Sequence, residues 1–569
     1  MSGVGRGVSA PSPTSRALDT LADLAEIRGE TSDAIGYRQA ATFISTLSPD
    51  ATAALLNRAR EDRLHGDPGI PARLHRRIRD LAVGGADPII SAARDALPAL
   101  FKALFDLGVV NSSEAALLVR RLAIVSLGDL QHALEMGRIL QTFDESFDAR
   151  LRQAAPAIAS DAGMMPLGRA RDLLESLSAA ITADAPALDG LTPSGEVRRF
   201  EPLVSELILV ARSHDPVTAI EQVCASRGID AVVHRGPRRV VVTTQGSEVD
   251  IRVSAIDEYG TVLFSTTGSR AHLQAMRSRG GHLRLAAREE DLYSQAGVPF
   301  ITPEMRHGTG ELEAAAAGTL PRLVSREHIR GDLHMHTIYS DGADTLDAMV
   351  AACCSLGYEY IAITDHSEHA GSSRTVSRRD LSRQRAEIEA ARERYPQITI
   401  LHGTEVDIMA DGTLDFPDEV LASLDIVIAS LHEAERHDGK TLTRRCLQAI
   451  RHPLVNVIAH PANRIVGRRA GYPLDYDAIF AAAAETGTAL EVDGAPAHLD
   501  LEGERAREAI AAGVTLTIDS DCHRARWLER QMAMGVGTAR RGWVERRHVL
   551  NTRSIKDVRA FIAAKRRRR

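Results

Sequence analysis

Several features that would assign a protein class at once are missing from this sequence of 569 residues. It has only five cysteines and no C-x-x-C pair, so no disulfide framework is expected and a reducing cytoplasm fits. No stretch approaches the roughly 18 apolar residues of a membrane-spanning helix. The first fifteen residues also lack the apolar segment of a secretion signal. We therefore expect a cytoplasmic protein without a membrane partner.

An excess of positive charge is missing too, because the formal net charge is −7. Any contact with nucleic acid must therefore come from local patches. One patch is the C-terminal run of residues 565–569, although such runs are usually solvated ends. Aromatic residues are scarce at 4%, but the apolar fraction of 44% and the charged fraction of 25% are ordinary. The length suggests roughly three or four folded units.

Changes in periodicity divide the chain into parts. Residues 1–15 are rich in Gly, Ser and Pro, which predicts a disordered leader. Residues 16–180 carry apolar side chains at helical spacing and predict a helical domain. Short β-branched runs then predict a mixed α+β domain at residues 181–304. A linker containing a short helix is expected at residues 305–328.

From residue 329 to the C-terminus, strand patterns alternate with helix patterns. This alternation predicts a parallel β/α barrel with seven strands, a distorted (β/α)7 architecture. The predicted strands are residues 332–336, 358–364, 397–403, 424–430, 455–460, 488–494 and 514–520.

Nine metal-binding side chains follow these strands, each at the carboxyl end of a strand or just past it. Barrels of this type build their active sites at that face. In the H-x-H and D-x-H pairs, both side chains point to the same face because the strand period is two. Six histidines and three carboxylates exceed the needs of one ion and predict two or three divalent transition metals that share a carboxylate. The nine residues are His334, His336, Asp341, His366, Glu405, His432, His460, Asp521 and His523.

Other polar residues near these strands receive a different interpretation. Asp332 and Asp365 are expected to orient the ligand histidines from behind. Five further histidines are expected on the surface or in loops, namely His369, His402, His437, His452 and His498.

Clustered cations neutralise phosphate oxygens and lower the pKa of a bound water, which suits phosphoester hydrolysis. Amide hydrolysis by a two-metal site remains open on ligand spacing alone.

The successive motifs GDLHMHTIYSDG, ITDHS, GTEVDI, SLH, AHP and SDCH resemble those of the PHP (polymerase and histidinol phosphatase) superfamily over about residues 330–545. The resemblance implies Mn²⁺ or Zn²⁺, with Fe²⁺ as a further candidate, and a catalytic group made of His334, His336, Glu405 and Asp521. It divides the ligands into three sites: His334, His336, Glu405 and Asp521; Asp341, His366 and His523; and Glu405, His432 and His460.

The rest of the chain resembles the bacterial family X DNA polymerases, which carry a PHP domain at their C-terminus. IGYRQAATFISTLS and GDPGIPARLHRRIRDLAVGG are similar to parts of their N-terminal domain. FSTTGSRAHLQAMRSRG is similar to the segment after their palm strands, and ARRGWVERRHVLNT to the end of their PHP domain. The resemblance implies a nucleotidyltransferase palm with a thumb-like segment at residues 181–304, and DNA as the partner.

The palm motif departs from this family. The family reads G-S-x-R-R and then D-x-D, whereas this chain has GEVRR at 195–199 and SELI at 205–208. Glu206 replaces the first carboxylate, Ile208 cannot bind a metal, and Asp250 keeps the third position. Because two-metal nucleotidyl transfer needs bridging carboxylates, we expect polymerase activity to be very weak or absent.

The helix-hairpin-helix that grips DNA phosphate in the family is eroded as well. Its G-x-G-Lys pattern reads GVVNS at 108–112, and the β-branched Val110 disfavours a positive φ. A tight hairpin and a firm DNA grip are therefore not expected here. Candidate phosphate contacts remain at Arg198, Arg199 and Arg270, with Arg235, Arg238, Arg239 and Arg277 as further candidates.

Four functions compete on these observations. The leading one is a manganese-dependent 3′–5′ exonuclease or DNA end-processing hydrolase in repair, acting as a monomer with the polymerase half as a substrate scaffold. A histidinol-phosphatase-like enzyme for small phosphomonoesters is the second. A weak gap-filling polymerase that uses Glu206 and Asp250 is the third, and Ile208 argues against it. A binding module that keeps its metals for stability is the fourth, and the nine intact ligands argue against it.

Overall fold

The computed structural model describes residues 12–65, 67, 69–161, 163–371, 374–432 and 436–567. Most of the predicted leader, residues 1–11, lies outside the described residues, as do the last two arginines of the basic tail. The last residues of the predicted leader are helical, because the first helix already begins at Pro13. Ser12 caps this helix, and its hydroxyl accepts a hydrogen bond of 3.1 Å from the Ser15 backbone N–H.

The predicted helical domain forms two adjoining hydrophobic clusters, which we call the helical unit (residues 12–161). Its helices are α1 (Pro13–Ile27), α2 (Thr31–Ser45), α3 (Pro49–Arg60), α4 (His75–Gly84), α5 (Asp87–Asp95), α6 (Ala99–Asp106), α7 (Ser112–Leu122), α8 (Leu127–Glu135) and α9 (Glu145–Asp161).

The hairpin between α6 and α7 is formed, contrary to the expectation from Val110. The residue with positive φ is Gly108, at +63°, while Val110 turns its side chain into the core. Asn111 then caps α7 by accepting a hydrogen bond of 2.9 Å from the backbone N–H of Glu114. The β-branched residue is therefore tolerated because the left-handed conformation falls on the glycine.

A five-stranded mixed sheet forms the centre of the next part, which we call the middle unit (residues 163–320). Its elements are β1 (Met165–Pro166), α10 (Leu167–Asp184), β2 (Asp189–Pro193), α11 (Gly195–Arg198), β3 (Leu203–Val204), β4 (Leu207–Arg212), α12 (Pro216–Cys224), β5 (Ala231–Arg235), β6 (Arg239–Thr244), β7 (Ser247–Ser254), α13 (Tyr259–Thr267), α14 (Arg270–Gly280), α15 (Glu289–Gln295) and α16 (Glu311–Ala316). The strand order is β2-β4-β7-β6-β5, with β4 and β7 parallel and the other pairs antiparallel.

The first half of the segment predicted as a linker is packed into the middle unit. Leu312 and Ala315 of α16 lie in one hydrophobic cluster with Tyr293. Arg306 is fully buried, where it donates 2.9 Å to the carbonyl of Ile301 and pairs with a glutamate of α15. This stretch therefore belongs to a folded core.

The C-terminal part is the predicted parallel barrel, and we refer to residues 329–567 as the barrel. Its strands are β8 (Gly331–Asp332), β9 (Tyr360–Ile363), β10 (Thr399–Asp407), β11 (Ile426–Ser430), β12 (Val457–Ile458), β13 (Ala489–Asp493) and β14 (Leu516–Asp519). Its helices are α17 (Leu346–Ser355), α18 (Arg378–Arg394), α19 (Asp418–Ala422), α20 (Gly439–Arg451), α21 (Tyr476–Thr486), α22 (Gly503–Ala511), α23 (Leu528–Arg541) and α24 (Ile555–Arg566).

The seven strands are all parallel and stand in chain order, which confirms the predicted fold class. Beyond the ends of β8 and β14, the ring is almost closed by a hydrogen bond of 3.0 Å from the His336 backbone N–H to the Cys522 carbonyl. Among the described residues, no helix combines the length and the apolarity that a bilayer crossing would need.

The described part of the basic tail is anchored on the barrel. Lys565 of α24 is buried, and its Nζ donates 2.6 Å to the carbonyl of Ile450. Arg566 donates 2.7 Å to the carbonyl of Leu424. Both acceptors precede strands, so α24 covers the amino-terminal end of the barrel, and these two cations are engaged within the protein.

The middle unit and the barrel share a hydrophobic core. Val466, Leu499 and Met534 of the barrel lie in the same buried cluster as side chains of α10 and the central sheet. Gly537 of α23 faces the ring of Phe200, and a Cβ built on this glycine would lie 2.1 Å from that ring. The two parts are therefore packed together and are not joined by a free connector.

Replacement of Gly537 by alanine tests this packing. The added methyl group has to displace Phe200, so we expect a loss of about 1–3 kcal/mol in the free energy of unfolding, measured by denaturant titration of the full chain. Gly84→Ala is the matched control, since its Cβ would meet open space. Equal stability of Gly537→Ala and the unmodified chain would contradict the tight contact.

Candidate metal centre

The nine predicted ligands come together at the carboxyl ends of the barrel strands, around the buried side chain of Glu405 on β10. Its Oε2 lies 2.8 Å from Nδ1 of His366, and its Oε1 lies 2.9 Å from Nε2 of His460. One carboxylate thus has imidazoles at both oxygens, as a bridging ligand would. Three more imidazole Nε2 atoms lie 3.5 Å from this carboxylate, those of His334, His336 and His432.

Two of these imidazoles face each other in a way that suits a cation. Nε2 of His334 and Nε2 of His336 are 3.1 Å apart. Nδ1 of His334 donates 2.7 Å to Glu491, and Nδ1 of His336 lies 3.3 Å from the Ser340 hydroxyl. With the protons on Nδ1, two Nε2 lone pairs converge, and Oδ1 of Asp521 lies 3.1 Å from the second of them. Such a donor set fits a divalent transition metal.

A second group of donors lies on the solvent side of the first. Oδ1 of Asp341, in the loop after β8, is 3.2 Å from Nε2 of His523 and 3.5 Å from Nε2 of His366. His336 joins this group as well, and a third group joins His366, Glu405 and His432. His336 and His366 thus each belong to two groups, whereas the resemblance gives each of them one. The division of the ligands among three ions stays a prediction.

The charged groups of the centre shift the pKa values of its histidines in opposite directions. Burial lowers the pKa of His334, but the negative charges of Glu491, Asp521 and Glu405 outweigh it and leave that pKa well above its ordinary value. Burial and the neighbouring His523 and His366 instead lower the pKa of His336 to about 3. Since metal ligation needs neutral imidazoles, binding of a cation would release protons from this network.

Two carboxylates that orient the imidazoles were not among the predicted residues. Glu491 on β13 accepts from Nδ1 of His334 at 2.7 Å and from the backbone N–H of His460 at 2.8 Å. Asp407 accepts from Nδ1 of His432 at 2.7 Å. Asp407 stands two residues after Glu405, so the strand period would have placed it on the ligand face.

The two aspartates expected to orient histidines hold the backbone of the ligand loops, and Asp365 also accepts a hydrogen bond of 2.5 Å from the Ser340 hydroxyl, which lies 3.3 Å from Nδ1 of the ligand His336. Asp332 accepts a hydrogen bond of 3.1 Å from the Ser520 N–H. Asp365 accepts from the backbone N–H groups of Thr337 at 2.7 Å and Ser340 at 3.1 Å. Their contribution is to shape the loops that carry the ligands.

One of the histidines set aside as surface or loop residues is placed differently. His402 is buried on β10, with Nε2 3.0 Å from Oε1 of Gln384, so its prediction was wrong. His498 does lie in a loop, but its ring stacks on that of His460 with centroids 5.5 Å apart. The other three, His369, His437 and His452, are at least partly exposed, as expected.

The residual palm carboxylate Asp250 is neutralised by arginine. Asp250 on β7 stands beside Ile208 on β4 in the sheet register. Its two oxygens each accept a hydrogen bond of 2.9 Å from Arg239, and one also accepts from Arg252 at 2.9 Å. Arg239 bridges further to Asp129 of α8 at 2.7 Å. The carboxylate therefore sits in a permanent ion-pair network that ties the helical unit to the middle unit.

The other palm carboxylate, Glu206, is turned to the helical unit. Its Oε1 accepts a hydrogen bond of 2.7 Å from the backbone N–H of Gly128, at the start of α8. Burial raises the pKa of Glu206 above its ordinary value. Within the part of the chain that the structure describes, every convergent group of three or more metal-binding side chains lies in the barrel.

The three main candidates for DNA phosphate contacts are engaged with protein groups. Arg198 forms an ion pair of 2.7 Å with the buried Glu289. Arg199 is buried and donates 2.6 Å to the carbonyl of Thr267. Arg199 is internal, so the prediction was wrong for it, whereas the side chain of Arg198 is 20% exposed and its role stays a prediction. Arg270 is about half exposed and pairs with an exposed glutamate of α8. The further candidates Arg235, Arg238 and Arg277 are exposed, and Arg239 is held by Asp250.

Known proteins are similar both to the barrel and to the chain as a whole. A family model described as "PHP domain" matches residues 332–491. "DNA polymerase/3'-5' exonuclease PolX" of Bacillus subtilis (strain 168) is 31% identical over 570 residues, which cover 96% of this chain and 98% of that protein.

Two further matches each cover about a third of this chain. A protein named "Probable phosphatase" from Thermoanaerobacter sp. (strain X514) is 30% identical over 203 residues, covering 34% of this chain and 78% of its own. A solved histidinol phosphate phosphatase from Lactococcus lactis, complexed with zinc, L-histidinol and phosphate, has 19% identity and a TM-score of 0.31. That match covers 38% of this chain and 95% of the phosphatase.

The bridging position of Glu405 predicts the metal content. Protein purified without chelator should carry two or three transition metals, up to one for each convergent group. Glu405→Ala should lose the most metal, because this carboxylate touches five imidazoles. Elemental analysis of the full chain measures both. The exposed Glu419→Ala is the matched control, and less than one metal per unmodified chain would contradict a trinuclear centre.

Glu491→Gln tests the orienting role of the missed carboxylate. Loss of its charge should weaken metal binding about 10–100-fold, as for other groups that orient ligand histidines. Metal titration of the chelator-treated full chain gives the affinity. An unchanged affinity would show that the hydrogen bond to His334 does not matter for the centre.

The arginine network around Asp250 predicts no primer extension on gapped DNA. Restoring carboxylates with Ile208→Asp and Glu206→Asp should also fail, since Asp250 stays neutralised by Arg239 and Arg252. Extension of a labelled primer is the measurement. Robust extension by the unmodified chain that disappears in Asp250→Ala would contradict the inactive palm.

Proposed function

The chain belongs to the family of the bacterial DNA polymerase/3′-5′ exonuclease PolX, and on that basis we propose that its barrel hydrolyses phosphodiester bonds at the 3′ ends of DNA. The barrel is a PHP-type phosphoester hydrolase. In this proposal the enzyme works as a monomer in cytoplasmic DNA repair, and the middle unit binds the strand without extending it.

One observation carries the proposal, namely the contrast between the two sets of carboxylates. In the barrel, Glu405 faces five imidazoles that can exchange protons for metal. In the middle unit, Asp250 faces two guanidiniums that stay charged at any ordinary pH. The predicted hydrolytic site thus keeps side chains that can bind a metal. In the predicted polymerase site, both carboxylates, Glu206 and Asp250, already have partners within the protein.

The open side of the centre indicates where a phosphate would approach. His334 and His336 are fully covered, whereas the side chains of Asp341, His432 and His523 are 22%, 24% and 32% exposed. A scissile phosphate would therefore enter over these three groups. Bound cations would supply charge to the phosphate oxygens and a water of lowered pKa.

The chain's own residues fix that arrangement before substrate arrives. Glu491 and Asp407 hold His334 and His432 in the tautomer whose Nε2 lone pair points into the centre. Imidazole and carboxylate without thiolate suit Mn²⁺, Zn²⁺ or Fe²⁺, and we propose Mn²⁺ or Zn²⁺ as the working ions, up to three per chain.

A second candidate function is hydrolysis of small phosphomonoesters. It is favoured by the "Probable phosphatase" relative, whose similarity spans only 34% of this chain. A small substrate would need no strand-binding surface, so the two functions differ in how they respond to salt.

Parallel assays of the full chain distinguish the two functions. With Mn²⁺, cleavage of a 3′-labelled single-stranded oligonucleotide should fall steeply between low and moderate salt, because phosphate contacts release counterions. Hydrolysis of p-nitrophenyl phosphate should change little. Glu405→Ala is the inactive control for both substrates. Hydrolysis of the small ester without any cleavage of DNA would overturn the nuclease and favour the phosphatase.

A further inference from the structure

A cavity of about 540 Å³ lies where the middle unit meets the barrel mouth. Pro202 and Leu203, around the start of β3, form one wall. The opposite wall is the barrel loop of residues 464–472, which follows β12 and the ligand His460. Both parts of the chain therefore line the cavity, and its barrel wall begins a few residues after the ligand His460.

The lining of this cavity is rich in arginine. Its four arginines outnumber its two carboxylates, and one carboxylate, Asp500, is buried. The other, Glu502, is paired with Arg464 at 2.5 Å. Two tyrosines complete the polar lining. The full charged and aromatic set is Arg464, Arg468, Arg469, Arg505, Asp500, Glu502, Tyr472 and Tyr476.

The arginines have different tasks. Arg464 donates 2.9 Å to the His498 carbonyl, and Arg469 donates 2.8 Å to the Asn463 carbonyl, so both hold loops. Arg468 is exposed, and no carboxylate of the described residues lies within ion-pair distance of it. Its guanidinium is the one best able to receive an anion.

The wall of the cavity is connected to the metal centre through short contacts. The Arg464 carbonyl accepts a hydrogen bond of 2.9 Å from Nδ1 of His498. The His498 ring stacks on His460, whose Nε2 lies 2.9 Å from Glu405. The arginine-bearing wall is thus linked to a ligand of the metal centre by two successive contacts.

The loop that carries Arg468 is fixed against the middle unit. Gly467 has a φ of +73°, and a Cβ built on it would lie 3.2 Å from Leu203. The neighbouring Val466 is buried in the core shared by both parts. The arginines are thus positioned before any ligand binds, which lowers the entropy cost of binding.

We propose that this cavity binds the phosphodiester backbone of single-stranded DNA next to the nucleotide held at the metal centre. Arginine contacts the phosphates, as in other single-strand grooves. The inference rests on the proposed nuclease function. It assigns the middle unit a task, since Pro202 and Leu203 supply one wall of the strand path.

Charge reversal at Arg468 tests the proposal in the metal-loaded full chain. Arg468→Glu should raise the KM for a 3′-labelled oligonucleotide about tenfold. It should also reduce, by about one, the slope of the logarithm of that KM against the logarithm of the salt concentration. Arg468→Ala should give a smaller effect in the same direction. The ratio of oligonucleotide to p-nitrophenyl phosphate turnover should fall in both variants, with unchanged metal content by elemental analysis.

Arg559→Ala is the matched control, because this exposed arginine lies on α24 at the other end of the barrel. It should leave both activities unchanged. If the unmodified chain cleaves DNA and Arg468→Glu has the same oligonucleotide KM, the cavity is not the strand site. Equal losses on both substrates would also overturn the proposal, since Arg468 would then support the centre itself. Failure of the unmodified chain to cleave DNA would instead overturn the nuclease function.

Discussion

A buried carboxylate surrounded by imidazoles is the interaction on which the barrel depends. Glu405 is removed from water, and an isolated ionised group in that position would be costly. Five histidines surround it. For three of them, His334, His366 and His460, the effect of burial is outweighed by neighbouring carboxylates that raise the pKa, so that these can compensate it as cations or as ligands of a shared metal. Glu491 and Asp407 accept hydrogen bonds from two of these histidines, so the carboxylates and imidazoles at the strand ends form one connected network.

The palm remnant shows the same problem solved with different chemistry. Asp250 is compensated by Arg239 and Arg252, whose guanidinium groups do not give up their protons. A histidine shell can exchange its protons for a metal, whereas an arginine shell cannot. The type of partner therefore separates a centre that can bind metal from an ion-pair network, although both begin with a buried carboxylate on a strand. Asp129 in turn uses Arg239 to attach the helical unit.

The barrel and its ligand set could be predicted because both depend on local patterns. Strand runs end in His or Asp, and a side-chain period of two fixes which residues share a face. Properties that depend on the far parts of the chain were not predictable in this way. Arg198 is engaged in an ion pair with Glu289, which lies far along the chain and could not be recognised as its partner from the local pattern. The hairpin at Val110 was misjudged because the residue that adopts the positive φ is Gly108.

The shared core explains why the front half persists beside a polymerase site with no free carboxylates. Val466, Leu499 and Met534 are buried by the middle unit, and the loops that carry the first two also carry Arg464 and His498. Removal of the middle unit would expose apolar side chains and release the loops that flank His460. The middle unit therefore acts on the hydrolytic centre through packing, whether or not it ever touches a nucleotide.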